Sequence, residues 1–149
     1  MSLPIDPSAI DAGDIGEERA VLQTDHETAV VAVHNAFEEA GFGFPVEFEA
    51  GRLLNEKVDA DRDPITVLGA CNPAIADRAL EASDMKISGL FPCAVVVWEA
   101  APDTQEVYHV SIMRIARLVG MAPDDETWAD IVAETGEMVE EALANIDVD

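Results

Sequence analysis

Basic residues are scarce in this chain: eight Lys plus Arg stand against 31 Asp plus Glu in 149 residues, a formal charge of −23. A surface so one-sided is repelled by a phosphate backbone and by an anionic membrane, so neither nucleic acid nor membrane is expected as a partner. Long apolar runs are also missing. None reaches the ~18 residues of a spanning helix, and the longest candidate, Gly89 to Trp98, is broken by Pro92. Cysteine is limited to Cys71 and Cys93, with no Cys-x-x-Cys spacing, which excludes a disulfide framework. Residues 1–15 lack the basic start and apolar stretch of a signal peptide and carry Pro4, Pro7 and Gly13. They read as part of a loose leader over residues 1–16, ahead of a single domain at 17–149 in a cytoplasmic protein.

What is abundant is aliphatic: 49% of the chain is hydrophobic, and the carboxylates are spread among Val, Leu, Ile and Phe rather than gathered in blocks. That is a folded core with an acid coat, not a disordered acidic tail. Such a coat repels itself over about 10 Å at 0.1 M salt and about 3 Å at 1 M, so the compact state gains from concentrated salt. The composition implies a salt-rich cytoplasm, as in a halophile.

Periodicity gives the elements. Arg19 to Gln23 is β-prone, and Thr24 with Glu27 has the spacing of a capping box opening a helix from about His26 to Ala40, with Gly41 as its left-handed end. The period then becomes two. Phe42, Phe44, Val46 and Phe48 share one expected dry face, and Pro45 puts this strand at an edge. One or two helical turns at Leu53 to Val58 precede a charged loop and a buried strand at Ile65 to Ala70. Asn72 and Pro73 then cap and open a helix to about Glu81. Cys93 to Glu99 reads as a central strand, turned at Ala101-Pro102-Asp103 into a second strand, Glu106 to Met113; Ile115 to Met121 fits no one pattern. A closing helix follows Pro123, with Trp128, Ile131, Val132, Val139 and Ala142 on its inner stripe. The fold class is α+β: two layers, helices on a mainly antiparallel sheet, in the order β-α-β-(α)-β-α-β-β-α.

Chemistry is harder to find. There is no Gly-x-Ser-x-Gly, no His-Glu-x-x-His and no phosphate-binding Gly-Lys loop, and Gly41-Phe42-Gly43 lacks the third glycine of a dinucleotide site. No cofactor is implied. His26 and His34 read as surface residues of the first helix, while His109 faces solvent, a partner or a pocket. The informative stretch is Gly69-Ala70-Cys71-Asn72-Pro73. With Asn72 as cap, the Cys71 sulfur lies just ahead of a helix N-terminus, where amide donors favour anions and thiolates. Gly69, Cys71, Asn72, Pro73 and Cys93 are therefore the candidate binding residues, and three readings follow. In the first, a binding or interaction domain takes a small anion at the helix start. In the second, Cys71 is a nucleophile or sulfur carrier with Cys93 as its partner. The third is a metal held by Cys71, Cys93 and His109. The first lacks the acid, base and nucleophile set of an enzyme.

Two motifs also carry a resemblance. Leu68-Gly69-Ala70-Cys71-Asn72-Pro73, then Gly89-Leu90-Phe91-Pro92-Cys93 running into Val95-Val96-Val97-Trp98, resemble the domain of unknown function 302 family over about Arg19 to Leu143. The resemblance implies a compact α/β domain with helices on a mainly antiparallel sheet, a homodimer and no established reaction. Its motif residues fall on Cys71, Asn72, Pro73, Pro92 and Cys93. Where the family turns through Asp-Pro after the second hairpin strand, this chain has Met113-Arg114.

Overall fold

The computed structural model describes residues 6–148, and all counts below are of those residues. Five strands, β1 (Glu18–Leu22), β2 (Gly43–Glu49), β3 (Ile65–Cys71), β4 (Cys93–Ala101) and β5 (Thr104–His109), form one antiparallel sheet in the order β1-β5-β4-β3-β2. Five helices, α1 (His26–Glu39), α2 (Ala50–Val58), α3 (Pro73–Ala82), α4 (Ile112–Leu118) and α5 (Glu126–Ala144), complete an α+β fold, with a 3-10 turn at Lys86–Leu90. No helix is long and apolar enough to cross a membrane. β4, apolar along its length, takes the centre, and Pro45 lies on the edge strand β2.

Local chemistry sets the ends. Gly41 at φ 107° closes α1 with two bonds back into its last turn, from Gly41 N–H to the Glu38 carbonyl and from Phe42 N–H to the Phe37 carbonyl. At the start of α1 the cap is Asp25, not Thr24: its carboxylate accepts the Thr28 N–H at 2.9 Å and the Thr28 hydroxyl at 2.7 Å. An ionised carboxylate at a helix N-terminus is the stronger acceptor of the two. β4 and β5 join through Pro102-Asp103, with Asp103 left-handed at φ 56°.

The core has two parts. One lies between the sheet and the helices α1 and α5, where Leu68, Val95, Val97 and Val107 meet Val33, Phe37, Val139 and Ala142. The other gathers Ile75 and Ala79 of α3, Ile87 of the 3-10 turn, Met113 and Ala116 of α4, and Trp128, Ile131 and Val132 of α5. Within it the Trp128 indole N–H donates to the Met113 carbonyl at 2.8 Å, so α4 and α5 are joined by a buried hydrogen bond.

Three expectations are corrected. The second hairpin strand ends at His109, because Ser111 caps a new helix, its Oγ accepting the Arg114 N–H at 3.2 Å. Residues 112–118 are thus helical, which settles the stretch that the sequence left without a pattern. The helical turns near Leu53 begin earlier, at Ala50. The dry face of β2 breaks at a bulge between Gly43 and Val46, beyond which the side chains change sides. Phe44 stays against Phe37, whereas Val46 and Phe48 turn to the uncovered face of the sheet and stand about half exposed. Ahead of β1, the Ile15 carbonyl accepts the Ser111 N–H at 2.8 Å and the Gly13 carbonyl accepts Arg114 Nη1 at 3.3 Å.

Candidate functional site

The end of β3 is where extended backbone turns into helix. Asn72 holds the corner with both ends of its amide: Oδ1 accepts the Ile75 N–H at 3.1 Å, and Nδ2 donates to the Gly41 carbonyl at 3.0 Å, tying α3 to the end of α1. Beside it opens a cavity of about 270 Å³. Ala70, Cys71 and Cys93 from the strands, Ile75 and Ala76 from α3, and Met113 from α4 supply much of its wall, with Phe42, Val46 and Phe91 nearer the strand ends. The wall is almost wholly apolar. Its polar oxygens are already engaged, since the Thr135 hydroxyl donates to the Ile131 carbonyl at 2.8 Å and Asn72 is used as described. Two thiols are the remaining chemistry.

Of the five candidate residues, Cys71, Asn72 and Cys93 line this cavity. Gly69 and Pro73 do not. Gly69 makes room instead: a Cβ there would meet the Pro92 ring at 2.8 Å and Val46 at 3.2 Å, so the missing side chain lets the Phe91-Pro92 segment lie over the sheet. Pro73 is exposed and gives the helix start its fixed φ, but no N–H. With that donor absent and Ile75 N–H taken by Asn72, the helix start has little left for an anion.

The two cysteines are free and both half-buried. Burial pushes the Cys93 thiol up to about 12, and the neighbouring Cys71 adds to the rise. A thiol held in its protonated form is a poor nucleophile and a poor resolving partner, which weakens the redox reading. The metal triad is not assembled: His109 lies in a different, smaller hollow with Glu18, Ser111 and Arg114. Among the described residues no three His, Cys, Asp or Glu side chains converge as a metal site. The His109 Nδ1 is 2.9 Å from the Ala94 carbonyl, and burial lowers the pKa of the ring.

The other two histidines are half-buried, and both are held by hydrogen bonds. The His26 ring lies across the end of the sheet, Nδ1 2.8 Å from Gln105 Oε1 and Nε2 2.7 Å from Thr66 Oγ1. Gln105 in turn donates to Glu99 at 3.1 Å and to the Thr24 carbonyl at 3.3 Å, and Thr66 donates to Glu49. His34 is part-covered by Phe44, with ring centroids 4.3 Å apart, and its Nε2 is 2.9 Å from Glu47. The β2 bulge delivers that carboxylate: it turns Glu47 and Glu49 toward α1. The cavity residues beyond the two Cys motifs left no mark in the sequence; within the first motif Gly69, a glycine inside a strand, does signal a close approach by another segment, here Pro92.

The comparisons bear on the fold and family. The family model described as domain of unknown function DUF302 matches residues 18–146. The chain belongs to the DUF302 family. A solved structure described as an uncharacterized conserved protein DUF302 from Bacillus stearothermophilus superposes with a TM-score of 0.76 at 19% identity, over 89% of this chain and 99% of that one. At that identity the likeness establishes the DUF302 architecture and no activity. No curated protein matches the chain.

Proposed function

We propose that this DUF302 protein is a binding domain of a salt-rich cytoplasm, and that the cavity beside Cys71 takes up a small, uncharged, mainly apolar molecule. The observation that supports the reading is the cavity: about 270 Å³ of apolar wall whose oxygen donors and acceptors are already spent within the protein. An apolar hole of about 150 Å³ holds benzene, so this one has room for an indole-sized or six- to eight-carbon molecule. The anionic ligand expected from the helix start is the weaker form of the reading, because Pro73 has no N–H and the Ile75 and Ala76 N–H groups are already bonded to Asn72. Titrating indole, hexanol and hexanoate while following backbone amide shifts tests it. Shifts at Phe42, Cys71, Ile75 and Phe91 with the neutral probes, lost in Ala76→Phe, are expected. No saturable shift with any neutral probe, or saturation by hexanoate alone, overturns it.

A second reading concerns partners, and one observation favours it. The face of the sheet away from the helices is uncovered. Val21, Val46 and Phe48 stand about half exposed on it, beside partly buried Val67, Val96, Trp98 and Tyr108. In a chain of charge −23 this face is close to neutral, because Glu106 is held by Arg19 at 3.1 Å, which also lies over Tyr108. Two copies that repel elsewhere can meet on such an island, sheet against sheet, as a homodimer. Light scattering after size exclusion checks this. A mass of two chains that falls to one in Val46→Glu/Phe48→Glu is expected, and a single-chain mass at all concentrations rejects it.

A further inference from the structure

The cavity has a bend in it. Neighbouring residues of a strand face opposite ways, so the pairing of Ala70 with Cys93 puts those two side chains on the helix side of the sheet and leaves Gly69 and Cys71 on the uncovered side. Val46, paired with Gly69, shares the uncovered side. One cavity nevertheless touches Val46 and Cys71 as well as Ala70 and Cys93. Hydrogen-bonded strands stand about 4.8 Å apart and leave no hole between them, so the space joins the two sides only past the end of the sheet. At that corner β3 gives way to α3, β4 begins, and the β2 ladder is interrupted between Gly43 and Val46.

The two ends differ. On the helix side Phe42, Ala70, Ile75, Met113 and Thr135 are all buried, so this end is blind and lies among α3, α4 and α5. On the sheet side Val46, Phe91 and Pro92 meet solvent and form the mouth. Gly69 keeps that mouth narrow. A Cβ there would stand 2.8 Å from Pro92 Cγ and 3.2 Å from Val46 Cβ, so these two atoms close over the strand to no more than about 6 Å from each other, the two distances end to end.

We infer that the ligand is a straight-chain aliphatic molecule with one neutral polar end, its tail bent round the end of β3 into the blind end and its polar end left at the mouth. The inference rests on the proposed uptake of an apolar molecule and narrows it. A saturated chain turns a corner by rotation about its bonds, through staggered wells. A rigid ring stays on one side of the corner and leaves the other side unfilled. The polar end belongs at the mouth because the blind end has nothing to offer it: the Thr135 hydroxyl is bonded to Ile131, and the Asn72 amide holds Gly41 and Ile75. A hydroxyl buried without a partner is costly, whereas at the mouth it keeps its water. No charged side chain lines the cavity to pair with an ionic end, and a carboxylate would also meet the field of a chain of charge −23.

Titrating the unaltered protein with alcohols, followed by backbone amide shifts and by NOEs between ligand and protein, tests this. From 1-butanol to 1-hexanol the affinity should rise about fourfold with each added CH2. 1-Hexanol should bind about tenfold more tightly than cyclohexylmethanol, a ring alcohol with one carbon more, because the ring buries fewer groups beyond the corner. NOEs are expected from the terminal methyl of hexanol to Met113 and Ile75, and from its CH2OH group to Val46 and Phe91. A ring alcohol that binds as tightly as hexanol, or a hydroxyl end found against Met113, overturns the inference and leaves the proposed apolar uptake standing. Failure of every alcohol to bind overturns both.

Discussion

Replacing His26 by alanine should cost about 2 kcal/mol, well above the cost of the same change at His34. The difference follows from what each ring leaves behind. His26 bridges two side chains that are 0% exposed, Gln105 and Thr66. Thr66 keeps its bond to Glu49, but Gln105 Oε1 loses its partner while its NH2 stays fixed toward Glu99 and Thr24. An unsatisfied buried acceptor costs about 1 to 3 kcal/mol. With a urea m-value of about 2 kcal/mol/M, the expected loss moves the unfolding midpoint down by about 1 M. His34 bonds Glu47 at 2.9 Å where both side chains meet solvent, a surface contact worth about 0.2 to 1 kcal/mol. A double-mutant cycle sharpens the test. Gln105→Leu removes the orphaned carbonyl, so His26→Ala/Gln105→Leu should lose at least 1 kcal/mol less than the two single changes added together. Additive effects, or a His26→Ala loss below about 0.5 kcal/mol, would refute the bridging role.

Other outcomes follow from the same structure. Gly136 sits inside α5 with open space where a Cβ would go, so Gly136→Ala should raise stability by about 0.5 to 1 kcal/mol. Gly51→Ala should lower it by about 1 to 3 kcal/mol, because the new Cβ would stand 2.7 Å from the Asp63 carbonyl; both are read from urea curves. Folding raises the Cys93 pKa from 9.0 to about 12, so the stability this proton lends is whole below pH 9 and drains away as pH climbs from 9 toward 12. His109 shifts the other way: its pKa is lowered by burial, so its contribution is whole above 6.5 and fades as pH drops below that value. Comparing Cys93→Ala and His109→Gln with the parent by thermal melts across pH separates the two limbs. In a KCl series from 0.1 to 3 M the melting temperature should climb, and a flat response would remove the salt-adaptation argument.

The sequence made most of the architecture legible because hydrophobic period and cap chemistry are local. Gly41, Asn72-Pro73 and the Val95 to Trp98 run each announce an element from its own neighbours. Misreadings arose where a distant contact decides. The β2 bulge depends on pairing with β3, and without it Phe42 to Phe48 alternates so regularly that Val46 and Phe48 look like core. His26 has no local reason to be covered, since Thr66 and Gln105 lie 40 and 79 residues away. The same holds for the site. Cys71 and Cys93 stand out by motif, whereas Met113, Ile75 and Phe42 become its wall only once α1, α3 and α4 have converged.

The two halves of the core meet along a seam. Cys93 and Met138 are the side chains that touch both halves, and the cavity opens beside Cys93. α5 spans the seam, carrying Trp128 and Ile131 into one half and Val139 and Ala142 into the other. Hollowness at such a junction means that the α3–α4 corner can detach before the sheet melts, as a partial opening with its own free energy. Whatever fills the hollow mends that weakness. Occupancy should therefore be visible far from the ligand itself, as slowed deuterium uptake along α3 and α4 while the sheet's exchange stays as it was.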